Sequence, residues 1–207
     1  MDDLPTIAAE VIACQRCPLA AGRIKAVPGE GPAHAELMLI GEGPGMNEDK
    51  QGRPFVGASG QFLTELLAQA GYKREEVFIA NVVKCRPPGN RDPQPIEIDA
   101  CADYLNRQIA VINPKVIVTL GRFSMAKYFP GAKISAIHGQ AKRINDRTVV
   151  AMFHPAAALH QPALRQSIEE DFRKLKQIIA SVSNSAATPK PEQKDNDNDA
   201  GEQLSLF

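Results

Sequence analysis

The sequence predicts an α/β fold: a central four-stranded parallel sheet with helices on both of its faces. Three features carry this. Four short runs are almost wholly apolar, as strands buried on both sides must be. The stretches between them repeat their apolar residues at helical spacing. Strand and helix alternate along the chain, the pattern of a parallel sheet covered on each face.

The elements follow in order. Glu36 to Ile40 reads as the first strand and runs into Gly41-Glu42-Gly43-Pro44-Gly45. Ser59 to Ala70 reads as a helix, with Phe62, Leu63, Leu66, Leu67 and Ala70 on one stripe. Val77 to Ala80 is the second strand and delivers Asn81. Pro95 to Ile112 is a second helix, with proline in its first turn, where its missing N–H costs nothing. Val116 to Leu120 is the third strand, and Arg122 to Phe129 a shorter helix. Thr148 to Phe153 is the fourth strand, ending at His154-Pro155. Pro162 to Val182 is a final helix, carrying Leu164, Ile168, Phe172, Leu175 and Ile179 on one face. Open parallel sheets bind ligands beyond the carboxyl ends of their strands. The glycines, Asn81 and His154 all fall there.

Residues 1–181 read as one domain. From Val182 the composition turns polar, and 182–207 reads as a disordered acidic tail. That tail carries five acids and two lysines, so the body holds a mild positive excess although the whole chain is formally neutral. Such a balance permits DNA binding without announcing it. No run is apolar enough to span a bilayer, and Met1-Asp2-Asp3-Leu4-Pro5 lacks a secretory pattern. A cytoplasmic location is expected, together with a monomeric state. In that compartment disulfides are disfavoured, so four cysteines call for another role.

Cys14 and Cys17 form a C-x2-C knuckle followed by Pro18, and Cys85 and Cys101 are spaced C-x15-C. Four thiolates suit either a tetrahedral zinc or an iron–sulfur cluster, and spacing alone does not choose. Four buried, unrelated cysteines are the plain alternative. Either metal would staple the N-terminal segment to the loop after the second strand and to the helix bearing Cys101. With all four ligands thiolates, no position stays open for hydrolytic chemistry.

The Gly41–Gly45 loop lets a ligand approach the backbone, but it lacks the Lys-Ser/Thr of a triphosphate loop, and fragments like it are common. More specific is Gly52-Arg53-Pro54-Phe55-Val56-Gly57-Ala58-Ser59-Gly60, which places an aromatic between glycines just before a helix. Asn81-Val82-Val83-Lys84-Cys85-Arg86-Pro87-Pro88-Gly89-Asn90-Arg91 links a strand-end amide to a metal ligand, and His154-Pro155-Ala156-Ala157-Ala158 closes the last strand. Taken singly, Phe55 is equally a core aromatic, Asn81 a turn cap and His154 a satisfied histidine.

In this order, from about Cys14 to Lys176, the motifs resemble the family 4 uracil-DNA glycosylases. The resemblance implies a three-layer α/β/α fold, a [4Fe-4S] cluster on Cys14, Cys17, Cys85 and Cys101, and hydrolysis of the N-glycosidic bond of deoxyuridine in DNA. It makes Glu42, Gly43, Glu48, Phe55, Asn81 and His154 the uracil pocket. A target base must leave the duplex to be reached. Phe55 would then stack on it. Asn81 would donate to O4 and accept from N3–H, a pairing that cytosine mismatches on both atoms. His154 would hydrogen-bond O2 as the bond breaks. Family 1 enzymes use an aspartate to activate water; the position aligned with it here is Gly43, so Glu42 is expected to place the water or stabilise the cationic sugar, with Glu48 holding the pocket. A related branch forms a DNA adduct through a histidine after the second strand. Lys84 to Arg91 contains none, so turnover without a crosslink is expected. No lysine occupies a recognised nucleophile position, which points to a monofunctional enzyme.

Arg53, Lys84, Arg86, Arg91 and Arg122 are candidate phosphate contacts, as is Arg165 in Leu159–Arg165, a stretch whose Leu159 could wedge into the minor groove. His34, His138 and His160 read as surface or loop residues. Gln203, Leu204, Leu206 and Phe207 sit in a terminal pentapeptide resembling the one with which bacterial polymerases and repair proteins bind the sliding clamp. Two rival readings remain: a glycosylase for other deaminated bases, and a non-catalytic metal-stabilised binding module.

Overall fold

The computed structural model describes residues 2–185, with side chains to Ser181. The tail beyond Ser185, including the clamp-like pentapeptide, lies outside the described residues. Five strands form one sheet: β1 (Leu37–Gly41), β2 (Phe78–Asn81), β3 (Val116–Leu120), β4 (Ala141–Ile144) and β5 (Arg147–Met152), in the order β2-β1-β3-β5-β4. The first three and β5 run parallel, as their continuous apolar sequences predict. The expected four-stranded sheet is therefore corrected to five. Ala141-Lys142-Arg143-Ile144 pairs antiparallel with β5 at the sheet edge, and its two central residues are exposed. An edge strand can be short and solvent-facing, and β4, with its exposed middle, carries no apolar signature. Asn145, left-handed at φ 52°, makes the tight turn into β5.

The helices are α1 (Leu4–Ala13), α2 (Leu19–Gly22), α3 (Met46–Gln51), α4 (Ala58–Gln69), α5 (Pro95–Ile112), α6 (Arg122–Ala126), α7 (Ile134–Ile137), α8 (Ala156–His160), α9 (Arg165–Arg173) and α10 (Leu175–Ser185). The predicted final helix is broken: Pro162–Leu164 is a 3-10 turn, and α9 and α10 part at Lys174. Asp3 starts α1, its carboxylate accepting from the Thr6 amide at 2.7 Å.

Strand residues alternate between two cores. Leu37 and Leu39 face one side, with Phe62, Leu63, Leu66 and Leu67 of α4 and Ile168 and Phe172 of α9. Met38 and Ile40 face the other, with Ile7 and Val11 of α1 and Leu105 and Ile109 of α5. This is the three-layer arrangement. Phe55 belongs to the first core, and Cys85 and Cys101 to the second. Phe55 and the Cys85–Cys101 pair thus lie on opposite faces of one sheet. No helix among the described residues is long and apolar enough to cross a membrane.

Candidate active site

A cleft of about 440 Å3 opens at the carboxyl ends of the strands, a volume suited to a small ligand. Glu42, Gly43, Glu48, Phe55, Asn81 and His154 all line it. They come from three strand ends, from α3 and from the loop that follows it.

The floor is made where β1 and β2 end side by side, Gly41 registered with Asn81. A Cβ at Gly41 would stand 2.4 Å from Asn81 Oδ1 and 2.7 Å from the Phe55 ring, so only glycine lets these two side chains meet. Asn81 is 1% exposed, and its Oδ1 has no hydrogen-bond partner among the described residues. A buried acceptor left unpaired is costly unless a ligand completes it.

His154 follows β5. Its Nδ1 accepts the Ala156 amide at 3.1 Å, which leaves the ring proton on Nε2. Burial lowers its pKa to about 4, so the imidazole is neutral near pH 7 and acts as a donor through Nε2. Phe55 stacks on it, with ring centroids 5.4 Å apart and planes 25° from parallel.

Phe55 is held in left-handed backbone, at φ 50°. Glu48 Oε1 accepts the amides of Val56 and Gly57, both at 2.8 Å, and its Oε2 accepts that of Gly45 at 3.1 Å. Glu48 therefore ties the two loops of the cleft together. Arg74 donates to the Pro54 carbonyl at 2.6 Å. Glu42 sits across the cleft, 3.4 Å from the Phe123 amide. Burial pushes its carboxyl above the ordinary value, a shift reduced by the Phe123 amide and the Arg122 charge. A Cβ at Gly121, where φ is 92°, would lie 2.3 Å from Glu42 Oε1 and 3.2 Å from His154 Cβ. Gly121 is thus the residue that lets acid and imidazole approach.

Several lining residues escaped the sequence. Ser59, Asn90, Asp92 and His160 face the cleft. Nothing local marks them: the first turn of α4 brings in Ser59, the loop before α5 Asn90 and Asp92, and α8 His160. His160 is exposed at the end of α8, as a surface residue should be, and borders the cleft, whereas His138 is half-buried, held to Asp171 at 2.7 Å and packed on Phe153.

The candidate phosphate contacts fare unevenly. Lys84 is corrected: it is 1% exposed, its ammonium donates to Gln108 Oε1 at 2.6 Å, and it cannot meet DNA. Arg53 is paired with Glu30, Arg91 with the buried Glu97, Arg122 with Asp92, and Arg165 with Glu169. Arg86 donates to Asn90. Leu159 is 47% exposed on α8, whereas Leu164 packs against the core.

Cys14, Cys17, Cys85 and Cys101 line one small cavity with Val11, Ala20 and Tyr104. None is in a disulfide. Amides of Arg16 and Lys84 donate to the sulfurs of Cys14 and Cys101 at 3.4 and 3.2 Å, and the Arg23 guanidinium donates to Cys85 at 3.1 Å. Donors aimed at sulfur suit anionic thiolates. Among the described residues no three metal-binding side chains gather round one point.

The sequence profile of the uracil DNA glycosylase superfamily matches residues 28–179. A protein of Sulfurisphaera tokodaii named type-4 uracil-DNA glycosylase is 48% identical over 200 residues, covering 92% of this chain and 88% of its own. Namesakes from Archaeoglobus fulgidus and Thermotoga maritima are each 44% identical, covering 86% and 80% of this chain and 94% and 89% of their own.

Proposed function

The chain belongs to the uracil DNA glycosylase superfamily, and on that premise we propose how its cleft works. It is a uracil-DNA glycosylase, hydrolysing the N-glycosidic bond of deoxyuridine in DNA to release uracil in base excision repair. The observation that carries the assignment of the pocket is the unpartnered Oδ1 of Asn81 at its floor, beside a neutral histidine donor.

In this reading a flipped uracil enters the cleft and stacks on Phe55. Asn81 pairs with its O4 and N3–H. The Gly43 backbone borders the ring, and Glu48 keeps both loops in place. As the glycosidic bond breaks, negative charge grows on O2 and positive charge on the sugar. The Nε2–H of His154 meets the former, which is worth about 3 kcal/mol when a donor is placed in advance. Glu42 meets the latter or orients the attacking water; a carboxyl shifted upward by burial is the better base. No lysine enters the chemistry, so an abasic site is left with the strand intact.

We further propose that Cys14, Cys17, Cys85 and Cys101 hold a [4Fe-4S] cluster. The thiol set and the three N–H donors around it support this. The group would supply a cross-link joining the segment after α1 to the β2–α5 loop and to α5. We assign the protein to the cytoplasm, where thiols stay reduced and available as ligands. We assign the protein a monomeric state, phosphate contacts to Arg53, Arg86, Arg91 and Arg165, and clamp binding to the pentapeptide Gln203 to Phe207.

The test is uracil release from oligonucleotides carrying uracil, hypoxanthine or neither. Release from the first alone is expected, lost in Asn81→Ala and His154→Ala while visible cluster absorbance stays. Equal release of hypoxanthine would favour the broader base range, and no release at all a binding module.

A further inference from the structure

Phe55 is a large side chain in a backbone region that penalises any Cβ. Such conformers persist only where the surroundings over-determine them. Three constraints surround this one. Gly60, in the first turn of α4, has no side chain; a Cβ there would lie 2.0 Å from the Phe55 carbonyl oxygen. Glu48 holds the amides after Phe55. The Arg74 guanidinium holds the carbonyl before it, through Nη2 at 2.6 Å.

The three differ in one respect. Glu48 lines the cleft and would disturb a bound base directly; Arg74 does not line it. Arg74 is half-buried, its Nη1 has no partner among the described residues, and burial lowers its pKa. Keeping a guanidinium there is costly unless its direction matters. The neighbouring Arg53–Glu30 pair does not replace it, since both carboxylate oxygens of Glu30 go to Arg53.

We infer that Arg74 is a positioning residue for base excision: by gripping the Pro54 carbonyl it fixes the peptide that aims the Phe55 ring into the cleft. This rests on reading Phe55 as the platform for uracil. Arg74 stands at the start of the 3-10 turn Arg74–Glu76, just ahead of β2, the strand that ends at Asn81. The stacking surface and the base reader are therefore referenced to the same strand, one through a side chain and one through the backbone.

A double-mutant cycle tests it, with single-turnover rates and inhibition by free uracil measured for the wild type, Arg74→Met, Phe55→Ala and the double variant. Arg74→Met should slow turnover at least about tenfold and weaken uracil inhibition in step, with Arg74→Lys recovering part of both. In the Phe55→Ala background the same change should cost less than about twofold. Losses that multiply would overturn the inference, because Arg74 would then act elsewhere. An unchanged rate for Phe55→Ala alone would overturn the stacking reading, and the inference with it. Should Arg74→Met fail to fold, Arg74→Lys, which keeps the charge but not the planar fork, is run through the same cycle.

Discussion

The imidazole of His154 is stacked on Phe55, and its Nδ1 is occupied by the Ala156 amide, so Nε2–H is the one donor it can offer. Its pKa, lowered by burial to about 4, sets a pH window. Above pH 6.5 folded and unfolded chains both carry neutral His154, and its contribution to stability is full. As pH falls from 6.5 towards 4, only the unfolded chain takes the proton, and about 3 kcal/mol is lost. Urea melts of wild type and His154→Gln at pH 7 and 4.5 should show the wild-type stability falling by about 2–3 kcal/mol more than the variant's. Parallel losses would mean His154 protonates freely when folded.

Asn81 supports a prediction of opposite shape for activity and stability. Its Oδ1 has no partner to lose. Asn81→Ala should therefore hold or raise the urea midpoint while cutting uracil release by about 10- to 100-fold, the worth of one to two lost contacts to substrate. A matching fall in both would make Asn81 a structural residue.

These two residues also mark what the sequence could reveal. Strand-end position put Asn81 and His154 where a ligand belongs, but only the resemblance to family 4 glycosylases singled them out, together with Phe55, which lies in a loop between glycines. Gly121 was not legible as a site residue: its role is to leave room for Glu42 beside His154, a matter of two strand ends meeting. Asp92 and His160 were hidden for the same reason, being delivered by loops that fold back. Lys84 misled because a charged residue between Val83 and Cys85 reads as exposed, while α5 covers it with Gln108. β4 went unseen since an edge strand with an exposed middle has no apolar period.

The cysteines lie at a junction, Cys14 and Cys17 beyond α1, Cys85 after β2, and Cys101 within α5. Cys101→Ala should bleach the visible band of the purified protein and lower the thermal midpoint by roughly 10 °C, given about 2–4 °C per kcal/mol in a chain of this size. Full retention of colour would remove Cys101 from the ligand set.

The tail is predicted to act apart from the cleft. Deleting Gln203 to Phe207 should abolish binding to a bacterial sliding clamp and leave turnover on short oligonucleotides unchanged, since a preformed pocket reads only the apolar anchors. Normal clamp affinity in the truncated protein rejects the proposal.

Leu159 is a large apolar side chain, 47% exposed, on the helix that follows His154 directly. Its neighbours Ala157 and His160 line the cleft, where a flipped nucleotide leaves a gap in the duplex. A wedge filling that gap offsets unstacking, which costs a few kcal/mol per step in a duplex and little in a single strand. Leu159→Ala should therefore slow uracil release from double-stranded DNA by about tenfold or more and from single-stranded DNA by far less. The quantity to measure is the ratio of the two single-turnover rates. A ratio equal to that of the wild type places Leu159 outside base flipping, whatever happens to the absolute rates.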